Sequence, residues 1–338
     1  MKVREGDLIE TDDKVIFDVK GLVHPPHKVI AFPRYIPFSE GTRERDKNLY
    51  GKIYNLAERF QYLQQKAPEL IVFDPVFGES LCEVPVKEVT KHYEPIEKLT
   101  VLRKAKKNSL EDKAILLAES LKEAAGIPWS SIGISGSIMA GLSTLKSDID
   151  PIVYGVENCR KAYAALEKLV KKETSLFKQY TRLELQKLFE FRSKDTIMSF
   201  EDFAKVEGRK AFQGMFMDVE YFVRFVKDWS EIGEKYGDVC YKNCGYARIS
   251  ATVTGDSEAL FTPCTYQVES VKVLDGSSLG PITEVVSFRG RFCEQARTGE
   301  AIEAQGKVEH VSDKRSDREY YRLILGNKPQ DYMSLSHG

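Results

Sequence analysis

Asp148 and Asp150 flank Ile149 in the run Ser147-Asp148-Ile149-Asp150-Pro151-Ile152-Val153-Tyr154. Side chains of an extended strand repeat every second residue, so the two carboxylates share one face. Carboxylates held side by side repel each other. Such a pair suits a hard divalent cation, Mg2+ or Mn2+, which takes oxygen ligands. Just upstream, Ile132-Gly133-Ile134 reads as a strand and Ser135-Gly136-Ser137 as a turn that opens a short helix. A turn of this kind offers backbone N–H groups to phosphate. Gly136 permits close backbone approach, and Ser137 adds a hydroxyl and an N–H. A metal seat ten residues from a phosphate cradle suggests nucleotide chemistry.

Gly136-Ser137, ten intervening residues and Asp148-x-Asp150 are similar to the signature of the DNA-polymerase-beta-like nucleotidyltransferase superfamily. That superfamily includes the CCA-adding enzymes, antibiotic nucleotidyltransferases and small stand-alone nucleotidyltransferases. The whole chain also resembles an uncharacterised archaeal nucleotidyltransferase-domain family, in which this palm lies between two other segments. The resemblance implies an α+β fold: a mixed-sheet palm with helices, flanked by a small N-terminal α+β domain and a C-terminal antiparallel β-barrel-like domain. It implies transfer of a nucleoside monophosphate from a nucleoside triphosphate to an acceptor hydroxyl, with release of pyrophosphate. Two Mg2+ or Mn2+ ions would be bridged by Asp148 and Asp150. A third acid belongs on a later strand, and Gly214 to Phe225 alternates as a strand does. Asp218, Glu220 and Phe222 share one face there, so Asp218 is the expected third ligand and Glu220 the second choice. Gly136, Ser137, Ser147, Arg209 and Lys210 are the expected nucleotide-side residues. Ser147 has the simpler role of turning the chain into its strand. Arg209 and Lys210 are equally readable as an exposed helix end. Pro151 departs from the aliphatic residue usual at its position. Proline donates no ladder hydrogen bond, which predicts an edge strand or a bulge there.

The 338 residues are enough for two or three domains. A hydrophobic fraction of 42% and a charged fraction of 30% describe a globular chain. No run of apolar residues is long enough to span a bilayer, and the first residues, Met-Lys-Val-Arg-Glu-Gly-Asp, lack an apolar signal core. A cytoplasmic location without membrane contact is expected. A net charge of −1 argues against a wholly basic nucleic-acid binder and leaves room for a local basic face. The six cysteines read as reduced, partly buried thiols. Cys240 and Cys244 alone lack the second pair that a zinc site needs.

Composition divides the chain at 1–105, 106–240 and 241–338. In the first segment, Leu8 to Val19 reads as a hairpin, Lys28 to Tyr35 as a strand and Ile53 to Gln65 as a helix. His24-Pro25-Pro26-His27 is a rigid loop whose histidines read as packing groups before ligands. Gly41 to Lys52 is a basic, glycine-bounded connection. It reads first as a solvated loop and second as an arm toward a triphosphate or an acceptor.

In the second segment, Ser109-Leu110-Glu111-Asp112 reads as a capping box. A helix follows the motif over 158–173, and two more lie within 176–213, the second opening at Ser199. Residues 229–242 look like a helical link. From Tyr246 about five short strands predict a small, possibly OB-like barrel. Turns are expected at Thr254-Gly255-Asp256, Asp275-Gly276-Ser277-Ser278 and Thr298-Gly299-Glu300. In the barrel, Arg289-Gly290-Arg291-Phe292 and Arg297 bring charge and an aromatic ring together. The tail from Asn327 is expected to be exposed, with a disordered end. RNA is the leading acceptor on these grounds, ahead of a protein or a small molecule. The competing class is a non-catalytic nucleotide-binding sensor or scaffold.

Overall fold

The apolar alternation of the first twenty residues makes a hairpin in the computed structural model, β1 (Leu8–Thr11) with β2 (Ile16–Val19). The residues described are 1–104, 108–193, 198–276 and 280–336. The fold is α+β, with seven α-helices and several separate sheets among those residues. No helix among them is long and apolar enough to cross a membrane. The chain divides into two units. The first comprises 1–72, 80–179 and 211–233; the second comprises 73–79, 180–210 and 234–338. The boundary expected at 105/106 lies outside the described residues. The one expected at 240/241 falls inside a strand, because pairing there begins at Val239.

In the first unit, β2 pairs with β3 (Lys28–Pro37), and β3 with β5 (Asn48–Lys52). The edge strand β4 (Arg43–Arg45) forms a hairpin with β5. Helix α1 (Leu56–Lys66) follows, capped by Asn55, which accepts from the Glu58 N–H at 2.7 Å. After β6 (Ile71–Asp74) and β7 (Glu79–Pro85), strand β8 (Val89–Tyr93) closes the far side of the sheet against β1. The order is β4-β5-β3-β2-β1-β8. Helix α2 (Pro95–Leu102) leads out of it.

Helix α3 (Ser109–Ala125) is capped one residue earlier than expected. Asn108 accepts from the Leu110 and Glu111 N–H groups, and the Glu111 carboxylate accepts from the Asn108 N–H. Asparagine serves the cap as well as serine does. Gly126 ends the helix in the left-handed region, φ +63°. Strand β9 (Ile132–Ile134), helix α4 (Gly136–Ala140), strand β10 (Pro151–Tyr154) and helix α5 (Val156–Leu169) follow.

After β11 (Phe177–Lys178), residues 180–210 carry helices α6 (Arg182–Arg192) and α7 (Phe200–Glu207) and belong to the second unit. The chain returns to the first unit as β12 (Gln213–Phe216), β13 (Val219–Phe222) and β14 (Arg224–Val226). The single strand expected over 214–225 is thus a hairpin. Met217, at φ +56° and exposed, turns the chain between β12 and β13.

Strand β10 lies at the centre of its sheet, antiparallel to β9 and parallel to β14. The expectation of an edge or bulge at Pro151 is corrected by this pairing. Proline is tolerated because it is the strand's first residue. Ile132, Ile134, Ile149 and Val153 are fully buried in this sheet, and α5 packs on β10 and against α3. Met139, Ala140 and Leu142 pack into a cluster with Leu8, Ile16, Tyr35 and Tyr50 of the N-terminal sheet.

The second unit is a barrel of β15 (Val239–Glu258), β16 (Cys264–Gly276), β17 (Ile282–Ser287), β18 (Ala301–Asp313) and β19 (Arg318–Leu325). They pair in the order β15-β16-β17-β19-β18, and β18 closes on β15. The barrel is not wholly antiparallel, since β17 and β19 run parallel. A last strand, β20 (Tyr332–Leu335), pairs with β18 and buries Met333. The tail is therefore tied down up to Leu335. Its expected disordered end, at 337–338, lies outside the described residues, as does the Ser277-Ser278 turn. The helix expected over 229–242 is a single 3-10 turn, Trp229–Glu231, followed by β15.

Candidate active site

The site starts from one backbone register. Ile149 donates its N–H to the Glu220 carbonyl at 2.9 Å, and its own carbonyl accepts from the Phe222 N–H at 3.0 Å. This bridge sets Ile149 beside Tyr221, in step with the β10–β14 pairing that sets Ile152 beside Arg224. Ile149 and Tyr221 fill the core side. Asp148, Asp150 and Ile152 therefore share the other side with Glu220, Phe222 and Arg224. Glu220 stands across from Asp148. Asp218 lies two residues beyond, in the turn, exposed and paired with Lys113 at 2.6 Å. That pairing holds its carboxyl below the usual range. The carboxylate that register aligns with Asp148 is thus Glu220, and Asp218 serves a surface ion pair. Among the described residues, no three His, Cys, Asp or Glu side chains converge closely enough to form a metal cage.

Gly136 explains why the loop before α4 has its sequence. Its φ is +62°, and a Cβ there would come within 2.8 Å of Asp150 Cγ and closer still to Oδ2. The Ser135 N–H donates to the Asp150 carbonyl at 2.9 Å, and the Ser135 hydroxyl to the Gly6 carbonyl at 2.7 Å. Asp150 is thus held by its backbone, with its carboxylate lying along the glycine. Neither the Asp148 nor the Asp150 carboxylate has a hydrogen-bond or ion-pair partner among the described residues. Burial first, and the nearby Asp148 second, push the Asp150 carboxyl up to about 6; Lys52, Arg224 and Arg34 pull the other way. The Ser137 hydroxyl is buried without a partner among the described residues. A buried donor left unpaired is unfavourable, and here it sits one residue from the Gly136–Asp150 contact. Paired carboxylates, a close-approach glycine and an orphan hydroxyl fit a divalent cation carrying a phosphate.

Ser147 has the simpler of its two expected roles. Its hydroxyl accepts from the Thr144 N–H at 2.9 Å and from Arg43 at 3.3 Å, fixing the turn into Asp148. Arg43 also donates to the Leu142 carbonyl. Arg45 donates to the Ala140 carbonyl at 3.1 Å and to Glu10 at 2.8 Å. Two arginines of β4, within the basic stretch Gly41 to Lys52, therefore clamp the connection from α4 to Asp148. Their signal was Gly41 to Lys52 itself, rich in arginine and lysine.

Arg209 and Lys210 belong to the second unit, and their charges are engaged there. Arg209 forms a two-pronged pair with Glu300, at 2.6 and 2.8 Å. Lys210 is fully buried and donates to Glu207, the Arg291 carbonyl and Gln295 at 2.6, 2.7 and 2.9 Å. Phe292 is buried too, so the arginine-rich stretch 289–292 presents no stacking ring. The six cysteines are free thiols. His24 is buried, its Nδ1 accepting from the Ile30 N–H at 3.2 Å, and burial lowers its pKa to about 4.

The fold and this site define an α+β protein with a paired-carboxylate centre at the head of a central strand. No family model matches the chain, and no solved structure does. The chain is 32% identical over 338 residues to the uncharacterized protein MJ1086 of Methanocaldococcus jannaschii, covering 96% of each chain. It belongs to the family of that archaeal protein.

Proposed function

We propose that the protein is a divalent-metal-dependent nucleotidyltransferase that moves a nucleoside monophosphate from a nucleoside triphosphate to an acceptor hydroxyl, releasing pyrophosphate. The observation that carries this reading is the pair Asp148 and Asp150, sharing one strand face without protein partners and lying against Gly136. Asp148 and Asp150 would hold Mg2+ or Mn2+, with Glu220 the third carboxylate in register. When bound, such ions supply Lewis acidity to the acceptor oxygen and the departing phosphates. Gly136 lets the Asp150 carboxylate lie against the loop, and the Ser137 hydroxyl, without a partner among the described residues, would donate to a phosphate oxygen.

RNA is the acceptor we favour. Support comes from the barrel, whose strand order β15-β16-β17-β19-β18 resembles the five-stranded Greek-key barrels that bind oligonucleotides. The half-buried His310–Tyr321 ring pair, 5.0 Å between centroids, offers a stacking surface there. Incubating the protein with labelled triphosphates, Mg2+ or Mn2+ and total cellular RNA and protein tests the proposal. Label on RNA supports it in full. Label on protein moves the acceptor. No triphosphate consumption with any acceptor removes the enzyme and leaves a nucleotide sensor.

A further inference from the structure

We infer that Lys52 and Arg34, from the N-terminal sheet, form the seat for the triphosphate tail, beneath the ring of Tyr54. The inference rests on the nucleotidyltransferase reading of Asp148 and Asp150 and goes beyond the motif that suggested it.

Lys52 is the last residue of β5 and lies directly across from Tyr35 on β3. Its ammonium is half-buried, 4.8 Å from the centre of the Tyr54 ring and 6.0 Å from that of Tyr35. The Arg34 guanidinium lies 5.3 Å from the same Tyr54 ring, and one of its N–H groups donates to the Ile53 carbonyl at 3.2 Å. Neither cation forms an ion pair with a carboxylate among the described residues. Two neighbouring cations repel, and burial alone disfavours the charged form. Asp148 and Asp150 lie close enough to Lys52 to favour its charged form. Among the described residues, the arrangement is thus two acids without protein partners within electrostatic reach of two cations without carboxylate partners. A metal-bound polyphosphate satisfies both sides together: its metal meets the carboxylates and its outer oxygens meet the cations.

Three arginines of this unit are already engaged. Arg43 and Arg45 hold backbone carbonyls and Glu10, and Arg224 holds Glu5 at 2.8 Å. Lys52 and Arg34 have no carboxylate partner among the described residues. Tyr54, 47% exposed, places an aromatic face beside both cations. Arg34 and Lys52 approach the ring as cations approach an aromatic face, so the tyrosine keeps them oriented.

Binding of Mg2+–tripolyphosphate to the full chain, measured by calorimetry, tests the seat, with Mn2+ binding followed separately by electron paramagnetic resonance. Lys52→Gln should weaken tripolyphosphate binding by tenfold or more and leave Mn2+ affinity equal or higher, since a repelling charge is gone. Lys52→Arg should recover much of the binding. Asp148→Asn should abolish Mn2+ binding. If Lys52→Gln and Arg34→Gln bind tripolyphosphate as the wild type does, while Asp148→Asn does not, the seat is elsewhere and the metal-site reading stands. If the wild type binds neither Mn2+ nor tripolyphosphate, both ideas fall.

Discussion

The Asp150 carboxylate lies along the Cα of Gly136, so close that a Cβ there would overlap it. Gly136→Ala should therefore fail twice. Its left-handed φ costs a side-chain residue about 1 kcal/mol, and the methyl would displace the carboxylate. The expected outcome is a Tm lowered by several degrees together with loss of Mn2+ binding. A variant that melts normally and binds Mn2+ normally would mean that the contact is incidental.

Asp150 carries the pH signature. Its folded pKa is raised above the ordinary 3.8 to about 6, so the folded state holds the proton more tightly than the unfolded chain. The neutral form's stability is fully present below the ordinary value and is lost as pH rises from there through about 6. Asp150→Asn removes the buried charge. At pH 8, without metal, it should melt above the wild type, by on the order of 2 kcal/mol in stability. At pH 4 the difference should vanish. Added Mn2+ should stabilise the wild type at pH 8 and leave Asp150→Asn unchanged.

Glu220 and Asp218 are separable by paired variants. Asp218→Asn gives up only an exposed, solvent-screened pair with Lys113, and should leave triphosphate turnover near normal. Glu220→Gln should reduce turnover by about a hundredfold, equivalent to roughly 2.7 kcal/mol of barrier. The reverse pattern in steady-state assays would restore Asp218 as the third acid.

Lys210→Met should act on stability alone. It strips a buried ammonium from Glu207 and Gln295, and breaking such a pair costs about 3 kcal/mol or more. Chemical denaturation should show the loss, while Mn2+ binding at Asp148 and Asp150 should be intact. Weakened Mn2+ affinity in the folded variant would contradict the structural role.

The carboxylate pair was legible because a strand's alternation is a local property, and Asp-Ile-Asp is read within three residues. The cap of α3 and the hairpin at Leu8 to Val19 were legible for the same reason. Gly136 reads as permissive in the sequence, yet its contact is with Asp150, fourteen residues on, which only the β9–β10 pairing reveals. Arg209 and Lys210 look like an exposed helix end in sequence. Their burial is decided by Glu207, Gln295 and Glu300, which the barrel brings together. Asp218 and Glu220 alternate identically along the chain. A left-handed Met217 turns the chain there, and nothing about methionine announces that.

Pro151 bears on Asp150 through the chain before folding. The residue preceding a proline is driven away from helical backbone angles toward extended ones. Asp150 thus samples a narrower set of conformations in the unfolded ensemble, already weighted toward the one in which Ser135 later finds its carbonyl. Orienting this carboxylate consumes less conformational entropy than orienting its neighbour Asp148. The proline that seemed a flaw in the motif acts as pre-organisation for one of its two acids.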